Sequence, residues 1–178
     1  IIANKGVEKI RFCATSATRD ASNRALFIDG VREILGIEPE VIPGTEEAAL
    51  SFMGATKELK AMGAPYLVVD IGGGSTEFII GRAFKPLRLD STYMGCVSYS
   101  RRFFDDGKIS KSAMKRAELA ARNELQTLVS RFSKGNWQEA YGSSGTARAL
   151  AEILEFNGFG DGTITAEGLD QLRSAMIR

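Results

Sequence analysis

A run of glycines between two apolar segments constrains this chain more than any other feature. Residues 66–71 (YLVVDI) are almost wholly apolar, residues 72–74 are all glycine, and a second apolar run occupies residues 76–81 (TEFIIG). The two runs predict β-strands, and the glycines allow the tight turn that would pair them as a hairpin. Residues 84–92 (FKPLRLDST) predict a third strand, which begins a sheet.

Strands and helices alternate before this hairpin. A strand at residues 9–17 precedes a helix at residues 22–36, which Asp20 or Ser22 can cap and Gly36 ends. A short strand at residues 38–42 precedes a helix at residues 43–63, with Thr45 as its N-cap. This order is typical of an α/β layer, so we expect a domain boundary near residues 63–65, where the hairpin pattern takes over.

Helices dominate the rest of the chain. We predict a short helix at residues 95–104 and a long amphipathic helix at residues 110–133, capped by Ser110. Residues 139–154 predict a strand, a glycine turn and a helix. A last helix is expected at residues 165–178, capped by Thr165.

Composition limits the chemistry that is available. The 178 residues include 23 Lys and Arg, 22 Asp and Glu, and no His, with a net charge of +1. The balance excludes a strongly basic nucleic-acid module, so we expect no duplex partner. The absence of His leaves carboxylates, Lys, Tyr or Cys for acid–base work, and oxygen ligands for a metal such as magnesium or calcium. No apolar run reaches about 18 residues, so we expect no membrane span. Two separated cysteines indicate free thiols in a cytoplasmic protein.

The glycine run and its flanking polar residues predict a phosphate-binding loop. Glycines let successive N–H groups converge on an anion, and the Ser75 hydroxyl adds a donor. Asp70 ends the incoming strand, where a carboxylate can hold magnesium, and Glu77 begins the outgoing strand. The alternative is a simple hairpin turn with surface carboxylates. Because an Asp ends a buried strand and Ser-Thr-Glu follows, we favour phosphate binding.

Three further features are ambiguous when each is considered alone. The turn at residues 142–146 lies where a helix N-terminus can bind an anion, or is an ordinary strand–helix connection. Arg19 follows a strand end and suits a bidentate phosphate contact, or is a solvated side chain. Glu46 and Glu47 lie in the first turn of their helix, where negative charge stabilises the helix N-terminus. Alternatively, one of them orients and deprotonates a water molecule.

Taken together, these segments resemble the exopolyphosphatase / guanosine pentaphosphate phosphohydrolase (Ppx/GppA) family of the actin-like ATPase superfamily. The resemblance rests on five stretches in the family's order: ATSATRDASN, IPGTEEAALSFMGA, LVVDIGGGSTEFIIG, MGCVSYSRRF and YGSSGTARALAEI. It implies an α/β actin-like (ribonuclease H-like) fold, with mixed sheets flanked by helices. Residues 1–64 would be the C-terminal part of the first domain, and residues 65–178 most of the second.

The resemblance also implies an activity and roles for individual residues. The family uses Mg²⁺ to release terminal phosphate from inorganic polyphosphate, or from guanosine pentaphosphate in the stringent response. Glu47 would activate the attacking water, while Asp70 and Glu77 would handle metal and water. The predicted phosphate contacts are Arg19, Gly72, Gly73, Gly74, Ser75, Gly142, Ser144, Gly145 and Thr146.

One departure from the family pattern is the missing first phosphate loop, of the form D-x-G-(S/T)-N-(S/T). We therefore expect the chain by itself not to be competent. Two alternatives stay open: a noncatalytic polyphosphate- or nucleotide-binding module, and an actin-like sugar or acetate kinase. Paired subunits are common in the family, so a homodimer is one possible assembly. A long polyphosphate chain needs a row of cationic side chains, and the candidates are Arg101, Arg102, Lys111 and Lys115. The favoured alternative is that these side chains lie on solvated helix faces.

Overall fold

The computed structural model describes residues 8–57 and 63–177. The first part contains β1 (Cys13–Ala14), α1 (Ser16–Arg19), α2 (Arg24–Leu35), β2 (Glu40–Val41) and α3 (Gly44–Thr56). The second part begins with three strands and a helix: β3 (Tyr66–Ile71), β4 (Thr76–Arg82), β5 (Lys85–Thr92) and α4 (Cys96–Phe103). It continues with α5 (Lys111–Gln126), α6 (Val129–Phe132), a 3₁₀ turn (Lys134–Asn136), β6 (Glu139–Ser143), α7 (Ser144–Phe156) and α8 (Ala166–Met176).

A four-stranded mixed sheet forms the centre of the molecule, in the order β5-β4-β3-β6. The pairs β3–β4 and β4–β5 are antiparallel, and β6 lies parallel to β3. The predicted hairpin and third strand are therefore confirmed. A second, two-stranded sheet pairs β1 with β2 in parallel.

Helices cover both faces of the larger sheet, as predicted for the α/β fold class. On one face, Ala48 and Phe52 of α3 pack against Tyr66, Val68 and Ile79. On the other face, Leu128 and Phe132 pack against Leu67 and Ile80. Alternate residues of β3 thus enter opposite cores, which is the period-two pattern of a strand buried on both sides.

The helix α3 links the two predicted segments. It precedes the boundary expected near residues 63–65, yet its apolar face packs on the sheet formed after that boundary. Phe52 is fully buried and stacks on Tyr66 with ring centroids 5.6 Å apart. The two segments therefore share a core through this helix.

Several predicted elements differ from those in the structure. The strand predicted at residues 9–17 shrinks to Cys13–Ala14, because its hydroxyl-rich end turns into the single helical turn α1. The helix α3 begins at Gly44 with Pro43 as N-cap, so Thr45 is not the cap, and residues 58–62 of the predicted helix lie outside the described residues.

The long helix predicted at residues 110–133 is divided into α5 and α6. The break places Leu128 and Phe132 in the core beneath the sheet, a tertiary contact that helical periodicity does not reveal. The predicted caps Ser110 and Thr165 are confirmed, because each side chain accepts an N–H bond in the first turn of its helix. None of the described helices is long and apolar enough to cross a membrane.

The close packing of α3 on β4 yields a test. A Cβ at Gly81 would lie 2.0 Å from the Phe52 ring, whereas one at Gly54, in the same helix as Phe52, would meet no atom within 4 Å. We expect Gly81→Ala to destabilise the chain by about 1–3 kcal/mol through overpacking. Gly54→Ala is the control and should stabilise it by about 0.5–1 kcal/mol through helix propensity. Denaturant unfolding measures both, and equal midpoints would contradict the packing.

Candidate active site

The glycine loop joins β3 to β4 and is fixed by the first turn of α4. The carbonyl of Gly72 accepts an N–H bond from Cys96, and the carbonyl of Gly73 accepts from Val97 and Ser98, at 2.9–3.0 Å. A Cβ at Gly95 would lie 2.4 Å from the Gly73 carbonyl oxygen, so this approach requires glycine. The start of α4 therefore holds the carbonyl side of the loop.

The amide side of the loop has no such partners. Within the described ranges, the N–H groups of Gly73, Gly74 and Ser75 donate to no protein acceptor. A Cβ at Gly74 would lie 2.6 Å from the Ser16 hydroxyl, which brings the loop against the first segment. Free, adjacent amides that lack Cβ shielding are suited to an anion such as a phosphate group.

These loop residues line a cleft of about 830 Å³ between the two segments. Glu47 and residues near α1 form one wall, and the start of α4 forms the other. The full lining is Thr15, Ser16, Ala17, Asp20, Ala21, Glu47, Gly72, Gly73, Gly74, Ser75, Tyr93, Val97, Ser98 and Arg101. The structure thus brings the predicted loop and the predicted catalytic carboxylate together.

The remaining predicted carboxylates lie behind this lining. Asp70 and Glu77 are cross-strand partners in the β3–β4 hairpin. Strand periodicity places Asp70 on the same face as Val68, and Glu77 on the same face as Ile79, which is the face that α3 covers. The first turn of α3 carries Glu47. Neither Asp70 nor Glu77 lines the cleft, but both lie close enough to Glu47 to influence its charge.

Burial and neighbouring negative charges raise the pKa values of Glu47 and Glu77. For Glu47, burial is the main cause of the raised pKa, the charge of Glu77 adds to it, and the Thr15 hydroxyl and Arg19 oppose it. For Glu77, burial again raises the pKa, and hydrogen bonds from Ser75 and Ser91 oppose this effect. A carboxylate with a raised pKa is a stronger base toward a water molecule.

Glu47 has an unused acceptor. Its Oε2 atom is buried without a hydrogen-bond partner among the described residues, and lies 3.8 Å from Nη1 of Arg19. The same Arg19 nitrogen donates to the Ile42 carbonyl at 2.7 Å. Arg19 therefore lies beside Glu47 here and is not among the residues lining the cleft, so its predicted phosphate contact stays a prediction.

The carboxylate oxygens of the site suit magnesium, which water and substrate help to hold, better than they suit a metal ion that protein side chains hold by themselves. No group of three or more metal-binding side chains occurs within residues 8–57 and 63–177. Magnesium is commonly held by one or two carboxylates together with water and substrate phosphates, and Asp70 and Glu77 form such a pair. The orphaned Glu47 Oε2 is consistent with a further polar partner in the site. Glu77 is only 2% exposed and accepts from the Ser91 hydroxyl at 2.8 Å, so Asp70 is the more accessible of the two carboxylates.

The second predicted glycine turn adjoins the end of β3, where Ser143 pairs with Asp70, but its residues do not line this cleft, so its phosphate contacts stay a prediction. Gly142 lies within β6, which ends at Ser143, and Ser144 adopts a positive φ of 70° and begins α7, so no separate loop intervenes. Gly142 and Ser144 line another cavity, of about 480 Å³, while Gly145 and Thr146 lie in the first turn of α7 and are not among its lining residues. The Ser144 hydroxyl donates to the Ile71 carbonyl at 2.7 Å, which ties the turn to the end of β3.

Sequence reasoning missed the residues that support the buried carboxylate. Ser91 faces Glu77 across the β4–β5 ladder, and a Cβ at Gly44 would lie 2.5 Å from the Ser91 hydroxyl. Strand register would have identified Ser91, but register is fixed only when the pairing is known. Tyr93 and Val97 on the α4 side were also missed, because an exposed Tyr and Val carry no signal in sequence.

The chain is similar to one protein family and to several solved structures. The model of the Ppx/GppA phosphatase family matches residues 1–178. A crystal structure of an exopolyphosphatase-like protein is 36% identical with a TM-score of 0.80, covering 87% of this chain and 49% of that one. The Aquifex aeolicus PPX-GPPA enzyme is 29% identical with a TM-score of 0.66, covering 88% and 50%.

An exopolyphosphatase from Cytophaga hutchinsonii is also similar, at 26% identity and a TM-score of 0.77, covering 98% of this chain and 58% of that one. The present chain therefore spans about half the length of these solved structures. The predicted α/β fold is shared with them.

The raised pKa of Glu47 predicts how stability depends on pH. Its ordinary pKa is 4.5, and the native state holds the proton more tightly than the unfolded chain does. The free energy of unfolding should therefore fall as pH rises from 4.5 through the higher native pKa. Glu47→Gln removes this loss, so the stability gained by the variant should grow with pH above 4.5. Thermal unfolding with a chelator present measures the effect.

Glu46→Gln is the control for this experiment. It removes the same charge from the neighbouring position, where the carboxylate pairs with Arg11 outside the cluster. A Glu47→Gln stability difference that does not change with pH would contradict the buried, repelled state of Glu47.

Proposed function

Because this chain belongs to the Ppx/GppA phosphatase family, we propose that the protein releases terminal phosphate from inorganic polyphosphate or from guanosine pentaphosphate, using magnesium. Exopolyphosphatases among the similar structures support a hydrolase that acts on phosphoanhydrides. Within this class, the two substrates share a terminal phosphoanhydride, and both enter the test below.

One observation carries this proposal: Glu47 and the glycine loop line the same cleft. The free amides of the loop suit the oxygens of a phosphate group, and Glu47 has a buried, unpartnered oxygen and a raised pKa. An anion holder beside a basic carboxylate is the arrangement that phosphoanhydride hydrolysis needs, since most of the catalysis is positioning and charge stabilisation.

In the proposed mechanism, the loop amides hold the terminal phosphate and Glu47 orients a water molecule toward its phosphorus. Glu47 accepts a proton from this water as the new P–O bond forms and the anhydride bond breaks. Burial and repulsion from Glu77 keep Glu47 basic. Arg19, 3.8 Å away, keeps its carboxylate in place. Magnesium, when bound by Asp70 with Glu77 behind it, would polarise the phosphoryl oxygens as a Lewis acid.

The role proposed for Glu47 is tested by Glu47→Gln. The amide keeps the shape of the side chain but cannot accept the proton of water, so kcat should fall about 10²–10⁴-fold while substrate affinity changes little. Phosphate release from polyphosphate and from guanosine pentaphosphate measures kcat, and equilibrium binding measures affinity. The assay uses both the 178-residue chain and a form as long as the solved relatives.

Glu46→Gln again serves as the control and should retain the wild-type rate. An unchanged kcat in Glu47→Gln would remove Glu47 from the mechanism. Tight binding of either substrate by the longer wild-type form, without phosphate release, would instead favour the noncatalytic binding module.

The metal proposal gives a separate prediction. Chelation with EDTA should abolish phosphate release, and added Mg²⁺ should restore it. Asp70→Asn should raise the Mg²⁺ concentration needed for half-maximal rate at least about tenfold, because a charged oxygen ligand is lost. Asp105→Asn, in the exposed loop after α4, is the control. A rate that resists EDTA would contradict the proposed use of magnesium.

A further inference from the structure

The wall of the cleft formed by α4 carries a cation that the proposed reaction does not use. Val97 and Arg101 are four residues apart, so they share one face of α4, and both line the cleft. Val97 lies beside the loop, since its Cγ2 atom is 3.5 Å from the Cβ position of Gly73. Arg101 follows one helical turn, about 6 Å, farther along the wall.

No described group neutralises this cation. Within residues 8–57 and 63–177, no carboxylate lies within salt-bridge distance of Arg101 and no acceptor is bonded to its guanidinium. The lining carboxylate Asp20 lies instead 4.0 Å from Nε of Arg19. Of the described residues that line the cleft, Arg101 is the one basic side chain.

The neighbouring Arg102 has a different position. Its guanidinium lies over the Phe103 ring, 5.0 Å from the centroid, and it does not line the cleft. Lys111 and Lys115 belong to α5 and are also absent from the lining. Among the four cations that the sequence offers for a polyanion, the structure therefore distinguishes Arg101.

The cleft surface near Arg101 is mixed, because Asp20 and Ser98 line the cleft together with apolar side chains. Val97 is 47% exposed there, and Ala17 and Ala21 line the facing wall. The Arg101 guanidinium is therefore a second anion-binding group in the cleft, in addition to the free amides of the loop. A substrate that carries additional phosphate beyond the cleaved group would reach it, and a guanidinium binds phosphate oxygens in bidentate fashion.

We propose that Arg101 binds a second, uncleaved phosphate group of the substrate and so selects substrates that extend along α4. This inference rests on the proposed function. It makes Arg101 a substrate-binding residue that contributes to affinity and to selection by length, while the chemical step stays with Glu47 and the loop.

The experiment compares Arg101→Gln with Arg102→Gln, which removes the same charge from the adjacent position outside the cleft. Phosphate release by a form as long as the solved relatives is measured with tripolyphosphate, long-chain polyphosphate and guanosine pentaphosphate, and inorganic phosphate serves as the single-phosphate ligand in binding. We expect Arg101→Gln to raise KM about tenfold for at least one extended substrate, with kcat within about twofold of wild type. Arg101→Lys should recover part of the loss, and Arg102→Gln should match wild type.

Length dependence separates a substrate contact from a structural effect. The affinity for inorganic phosphate, a single phosphate group that can occupy only the loop, should change little in Arg101→Gln, whereas damage to the loop would weaken binding of inorganic phosphate and of all substrates equally. A larger effect with polyphosphate or with guanosine pentaphosphate identifies which of the two substrates places a second phosphate against Arg101. Equilibrium binding of the same compounds to the wild type and variants gives this comparison independently of turnover.

The two proposals fail in different ways. Absence of phosphate release by a wild-type form as long as the solved relatives would overturn the proposed function, while binding would still report on Arg101. Equal KM and equal affinity in Arg101→Gln and Arg102→Gln would overturn the present inference and leave the hydrolase proposal intact. An equal loss of affinity for inorganic phosphate and for the substrates would also overturn it.

Discussion

The packing of α3 on the four-stranded sheet is the contact on which the site depends. Phe52 fills the space above Gly81 and stacks on Tyr66, with no exposed surface of its own. This contact fixes the height and direction of the helix over the hairpin. Because Glu47 lies in the first turn of the same helix, the apolar contact also positions the Glu47 carboxylate over Asp70 and Glu77. The packing of α3 holds these three carboxylates close together although their negative charges repel one another.

The glycine loop explains how a nearly neutral chain could bind a highly anionic substrate. A chain with a net charge of +1 has no general attraction for a highly anionic substrate. The loop supplies that attraction locally, because the Gly72 and Gly73 carbonyls are bonded to the start of α4, whereas the amides of Gly73, Gly74 and Ser75 donate to no acceptor among the described residues. Oriented amide dipoles can stabilise an anion without a basic surface, and they do so where water has been partly displaced.

Both predicted segments contribute to the cleft, which explains why neither alone contains the site. The first segment provides Thr15, Ser16 and Glu47, and the second provides the loop and the exposed face of α4. The close approach of Gly74 to Ser16 joins the two walls at the floor of the cleft. Since the solved relatives are about twice as long, the activity proposed here is that of the whole protein.

The amino-acid sequence by itself determined the hairpin, the α/β class, the caps at Ser110 and Thr165, and the chemistry available without histidine. These features depend on local periodicity, turn residues and composition, which short segments display. Tertiary structure alone decided that α3 packs across the predicted boundary, that α5 and α6 separate at Leu128, and that Ser91 supports Glu77. It also decided that Arg101 lines the cleft while Arg102 does not. Each of these outcomes depends on contacts between residues distant in sequence, or on the direction of a helix face, and local patterns carry no information about either.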